Sequence, residues 1–118
     1  MVFVDELQDY GIDVKESYKD GLFVVDIYTN WCGPCKFLSP ILEHLSEEDL
    51  FELIEIDLDQ NRPLGQRFGI TAIPTVLFFN HGKMLEGTIE VDGQALVNNG
   101  IMIGAAAEPT IRKIIEKI

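Results

Sequence analysis

Two apolar runs separated by a helical pattern set the strongest constraint on this 118-residue chain. Leu22–Tyr28 is apolar and β-branched, interrupted only by Asp26, which is the pattern of a strand buried on both faces. Leu53, Ile54, Ile56 and Leu58 form a second run, and between the two Phe37, Leu38, Ile41, Leu42 and Leu45 recur at helical spacing. A helix over residues 33–46, bent near Pro40, therefore joins two strands. Strand, helix and strand in that order call for a parallel pair with a right-handed crossover, so the chain builds an α/β core.

The flanking segments are weaker signals. Residues 5–19 are polar apart from Leu7, Tyr10, Val14 and Tyr18, whose spacing of three or four predicts an amphipathic helix despite Gly11. A short helix over 62–68 precedes an apolar strand over 76–79. Asn80-His81-Gly82-Lys83 reads as a hairpin turn, which pairs a strand over 84–91 antiparallel with that strand. A helix over 108–118, with Pro109 in its first turn, closes the pattern. No internal repeat or low-complexity linker divides the chain, and its length suits one domain over 1–118.

Twenty acidic residues against nine basic ones give a formal charge of -11, which repels a phosphate backbone or an anionic membrane surface. Nucleic acid and membrane are therefore excluded as partners. The charge reads as a solvated acidic surface, with steering of basic partners as the alternative. Met1-Val2-Phe3-Val4-Asp5-Glu6 has neither the basic start nor the apolar run of a secretory signal, and the apolar stretch 101–107 is far below the roughly 20 residues that cross a bilayer. The expectation is a soluble, cytoplasmic monomer.

Both cysteines lie in Trp31-Cys32-Gly33-Pro34-Cys35-Lys36, where the first strand gives way to the helix. Two intervening residues allow a closable disulfide, so the pair reads as a redox couple. Cys32 at the helix amino end faces unpaired N–H groups and the positive end of the helix dipole, which favours the attacking thiolate. Cys35, one turn further in, is the resolving thiol. A zinc site would need four ligands, and beyond the thiols only His44 and His81 are available, far apart, so no metal is expected. A purely structural bridge would close a loop too short to add much chain-entropy stabilisation. The two histidines read as surface and turn residues.

The motif resembles the thioredoxin family residue for residue, and the resemblance extends to Val25-Asp26, Pro40, Asp59-Gln60-Asn61, Phe68-Gly69-Ile70 and Ile73-Pro74-Thr75, in family order. It covers roughly 22–83 and returns at 104–118, about two thirds of the chain. It implies a thioredoxin fold: a central mixed β-sheet flanked by helices. It further implies a cis Ile73–Pro74 peptide beside the cysteines, with the Ile73 backbone offered to an extended substrate; the residues alone would read Pro74 as a trans strand-entry proline. Asp26 becomes a buried carboxyl that passes a proton to or from Cys35, its alternative being a partly solvated strand residue. Trp31 either shields the disulfide as a flat contact or simply packs, and Lys36 either favours the thiolate or is only an exposed helix residue.

Two departures stand out. Many family members carry a lysine on the second strand near the buried aspartate, where this chain has Glu55; it either faces Asp26 or, as we favour, turns outward. Between Lys83 and Gly104 the chain is about a dozen residues longer than the family pattern, an extended hairpin or short inserted helix before the last helix. Gly104 matches the family glycine that lets a substrate backbone approach the cysteine face, with Gly93 as its rival and an ordinary turn glycine as the alternative. The resemblance thus implies a reductase of protein disulfides, with catalytic Cys32, Cys35 and Asp26, and a substrate face of Trp31, Gly33, Pro34, Ile73, Pro74 and Gly104. It implies no bound cofactor beyond the Cys32–Cys35 disulfide, and disulfide-containing proteins and a thioredoxin reductase or equivalent electron donor as partners. Alternatives are a disulfide oxidase or isomerase on the same fold, and a non-catalytic, redox-switched binding module.

Overall fold

Alternation along the first strand decides how the sheet divides the molecule. In β1 (Leu22–Tyr28), Phe23, Val25 and Ile27 point to one side, Val24 and Asp26 to the other, and all five are buried. The computed structural model describes residues 1–118. In it, β1 runs through α1 (Gly33–Glu47) into β2 (Glu52–Asp57), with β1 and β2 parallel, as the strand-helix-strand pattern requires. The helix continues unbroken through Pro40. A three-residue helical turn, Leu58–Gln60, and the short α2 (Arg62–Arg67) lead to β3 (Thr75–Asn80), which lies antiparallel to β1. The chain ends in α3 (Glu108–Glu116).

One seven-stranded mixed sheet results. Its remaining strands are β4 (Lys83–Met84), β5 (Thr88–Val91), β6 (Gln94–Asn98) and β7 (Ile101–Ile103), and its order is β2-β1-β3-β7-β6-β5 with β4 also on β3. Two apolar clusters cover its faces. Phe23, Val25, Ile27, Leu77 and Phe79 pack with Val4, Leu7 and Tyr18, and the Tyr18 ring stacks on Phe23 at 4.3 Å. On the other face Val24, Val76 and Phe78 meet Leu38, Leu42 and Leu45 of α1 and Ile111 and Ile114 of α3. This is the α/β mixed sheet with flanking helices that the sequence led us to expect.

Two expectations need correction. The single helix over 5–19 is instead two short 3-10 helices, Val4–Tyr10 and Glu16–Lys19, separated at Gly11. Gly11 and Asp13 are poor helix formers, and an extended stretch between the helices lets Val14 and Tyr18 reach the sheet. The apolar spacing correctly marked Leu7, Val14 and Tyr18 as buried without revealing the break.

Nor does one strand over 84–91 pair with β3. Only Lys83 and Met84 do so, opposite Asn80 and Phe79. The chain then leaves the edge, β5 and β6 form an antiparallel hairpin turning at Asp92 and Gly93, and β7 returns to β3 with Thr75 opposite Ile103. The extra length is thus a hairpin with no inserted helix, and Val91, Val97 and Met102 are buried against α1 and α3.

Candidate active site

The two cysteines meet at the start of α1, where they form a disulfide with Cα atoms 5.3 Å apart. Cys32 is the N-cap residue, and its Sγ accepts a hydrogen bond from the Cys35 N–H at 3.1 Å. Gly33 and Pro34 fill the first two exposed helical positions, and Pro34 needs no N–H there. Both cysteines are almost enclosed, 5% exposed for Cys32 and 2% for Cys35. Trp31, by contrast, is 72% exposed, held by an Nε1–H bond to Asp59 Oδ2 at 2.9 Å. Asp59 is itself fixed by its N–H bond to Asp57 Oδ1.

Strand register brings the distant parts of the site to one end of the sheet. Ile27 lies opposite Thr75, and Thr75 opposite Ile103, so the loop carrying Cys32, the residues before β3 and the residues after β7 leave the sheet together. The Ile73–Pro74 peptide is cis, and the Ile73 N–H and C=O stand outside the backbone hydrogen bonds of the fold. Gly104 follows β7, and its N–H donates to the Pro74 carbonyl at 2.8 Å. Gly93, the rival, sits at the tip of the β5–β6 hairpin, where neighbouring Asp92 pairs with Lys113 of α3.

Asp26 lies behind the cysteine loop and is fully buried, so it is not a partly solvated strand residue. Its Oδ2 accepts from the Ser39 hydroxyl at 2.6 Å, while Oδ1 has no partner. Burial pushes this carboxyl above its ordinary range, the Ser39 bond opposes the shift, and the charge of Glu43 adds to it. Glu55 stands in register opposite Asp26 on β2, exposed as favoured, and lines the same cleft as Glu43 of α1. Partial burial, then the neighbouring Glu43 carboxyl and the charge of Asp26, push Glu55 up to about 7. Lys36 is exposed on the rim beside Cys35.

Three contributors escaped the sequence reading: Ser39, Glu43 and Asp59. The first two carried a legible signal, since Cys35, Ser39 and Glu43 follow at intervals of four and share one helix face. For Asp59, only the fold shows that it meets Trp31. His44 pairs with Glu48 at 3.1 Å and His81 occupies the β3–β4 turn. No group of three or more metal-ligating side chains converges anywhere in the chain.

The thioredoxin family model matches residues 2–101. A thioredoxin of Borreliella burgdorferi is 35% identical over 113 residues, covering 93% of this chain and 88% of its own. A thioredoxin of Bacillus subtilis is 35% identical over 72 residues, 59% of this chain and 69% of its own. Among solved structures, a mutant thioredoxin from Halobacterium salinarum NRC-1 superposes with a TM-score of 0.68 at 27% identity, covering 95% of this chain and 81% of that one. Fasciola hepatica thioredoxin gives 0.64 at 31% identity, covering 84% and 83%. Such proteins need no cofactor beyond their redox-active disulfide, and work with disulfide substrates and a reductase. With its cysteine pair closed at the head of α1, the chain belongs to the thioredoxin family and is a thiol–disulfide oxidoreductase that reduces protein disulfides.

Proposed function

We propose that Cys32 attacks the substrate disulfide and that Cys35 resolves the mixed disulfide. The observation that carries this reading is the position of Cys32 at the N-cap of α1, its sulfur accepting the Cys35 N–H, while Cys35 lines the cleft on the Asp26 side. In the reduced protein, backbone N–H groups there stabilise a Cys32 thiolate. That thiolate bonds to one substrate sulfur, and the other departs as a thiolate and takes a proton from solvent. Asp26 then accepts the Cys35 proton. The Cys35 sulfur bonds to Cys32, the bond from Cys32 to substrate breaks, and two electrons have passed to the substrate.

On this reading Trp31, Gly33, Pro34, the Ile73 backbone, Pro74 and Gly104 form the face that receives an extended substrate. The unpaired Ile73 N–H and C=O support it, because they can add a strand-like pair of bonds to a bound peptide. The chain acts as one domain and as a monomer, in the cytoplasm, where thiols stay reduced. Its electron donor is a separate dithiol reductase.

Incubating each single Cys→Ser variant with insulin tests the assignment. Cys35→Ser should accumulate a mixed disulfide visible on a non-reducing gel, and Cys32→Ser should form none. Trapping by Cys32→Ser in place of Cys35→Ser would reverse the roles.

A further inference from the structure

The hairpin that lengthens this chain between Lys83 and Gly104 is covered on one face only. Val91, Val97 and Met102 are buried against α1 and α3, whereas the apolar cluster on the other face of the sheet takes in no residue of β5 or β6 and, of β7, only Ile101 at its margin. Ile101 and Ile103 alternate with Met102 and so point away from α1 and α3. With Ala95, Leu96 and Asn98 of β6 they line an open groove of about 350 Å³. Leu96 and Ile101 are half-buried, Ala95 is exposed, and Ile103 is 68% exposed. Strand pairing accounts for the opening, because β6 meets β7 in register at Asn98 and Ile101 alone, beside the turn.

Ile103 joins this groove to the substrate face. It lies opposite Thr75 of β3, it is followed by Gly104, and the Gly104 N–H holds the Pro74 carbonyl. A peptide extended over Pro74 and Gly104 therefore has a continuous path onto Ile103 and into the groove. From Gly104 back to Ile101 the strand covers about 10 Å, which an extended substrate spans in about three residues. A segment already held at the cysteines brings its next side chains to the groove at high effective concentration. A second copy of this chain is disfavoured as the occupant, since each molecule carries a charge of -11 and two such acidic surfaces repel.

We propose that the groove between β6 and β7 is a subsite of the substrate face, in which Leu96, Ile101 and Ile103 receive an apolar side chain about three to five residues from the reacting cysteine of an extended substrate. The inference rests on the substrate face assigned above. Its Leu96 wall comes from the added hairpin, so the hairpin sets a preference for apolar sequence around the disulfide. Apolar contact of this kind holds resting and reacting substrate alike. The gain therefore appears in the second-order rate constant and in half-saturation, and leaves the limiting rate unchanged.

Peptides carrying one cysteine as its mixed disulfide with thionitrobenzoate test the subsite, because attack of reduced Cys32 on the peptide sulfur releases the coloured thionitrobenzoate anion. Each peptide has a single leucine about three to five residues before or after the cysteine, and its control has serine there. N-acetylcysteine in the same mixed disulfide reports reaction without a peptide backbone. At one of these positions the reduced protein should react about tenfold faster with the leucine peptide than with its serine control, as an apolar pocket allows. Leu96→Thr and Ile103→Thr, replacements suited to a strand, should each bring that ratio most of the way to one. The ratio is taken within each variant, so a general change in folding or in cysteine reactivity cancels. A parent ratio near one at every position overturns the subsite, and so does a ratio that both variants leave intact. A parent that sediments as a dimer which Leu96→Thr dissolves overturns it too, and gives the groove to a second copy of the chain. If the serine peptides react no faster than the N-acetylcysteine compound, the substrate face fails and the subsite with it. If they do react faster while leucine adds nothing, only the subsite fails.

Discussion

The Gly104 N–H donates to the Pro74 carbonyl at 2.8 Å, and this bond ties the end of β7 to the cis-proline loop. Its geometry depends on Gly104 at φ 90°, a left-handed conformation that L side chains rarely adopt. A Cβ built there would meet nothing within 4 Å. Gly100, also left-handed at φ 81°, differs: a Cβ there would lie 2.7 Å from Met84 Cγ and 3.1 Å from the Phe78 carbonyl oxygen. Gly104→Ala should therefore cost about 1–2 kcal/mol from backbone strain alone. Gly100→Ala should cost more, because it also pushes β7 from the edge of β3. Urea midpoints of the two variants check the order, and equal losses would contradict it.

Asp26→Asn separates the roles of burial and proton transfer. Asp26 titrates above its ordinary value in the folded protein, chiefly from burial, so the folded state binds its proton more tightly than the unfolded chain does. Stability contributed by the protonated carboxyl is thus fully present below the unfolded value and is lost as pH rises through the raised folded one. Asparagine removes that loss. At neutral pH the variant should melt at least about 4 °C higher, the shift that roughly 1 kcal/mol gives in a domain of this size, with the advantage vanishing in acid. Insulin reduction should be slower at the same time. A melting temperature with unchanged pH dependence would show that Asp26 is not the titrating group.

The added hairpin belongs to the fold. Val97 is 1% exposed in the cluster formed with α1 and α3. Val97→Ala should cost roughly 2 kcal/mol, from lost apolar burial plus the cavity left behind. A urea midpoint equal to that of the parent would mean that the hairpin packs on the domain without stabilising it.

The site was legible where its chemistry is local. Cys32 and Cys35 could be placed on a helix start because an apolar run and a helical repeat bracket them within a few residues. Pro74 was different: its residues alone argued for a trans peptide, and only the resemblance pointed to the cis form found in the structure. Glu55 was recognised as unusual, but the cleft it shares with Glu43 joins a strand to a helix, and the two residues share no sequence pattern.

By itself the sequence determined the β1-α1-β2 core and the redox pair at its junction, because hydrophobic period and helix-end chemistry are properties of neighbouring residues. It also marked which residues face inward in 5–19, though not that the helix breaks there. Tertiary structure alone decided which strand completes the edge of β3, for residues 84–91 and β7 carry similar apolar patterns. Periodicity tells which face a side chain presents and never which strand it will meet. Burial of Val91, Val97 and Met102 against two helices selected β7 for that edge, and the packing of α1 over β1 and β2 brought Ser39, Glu43 and Glu55 to one cleft beside Cys35.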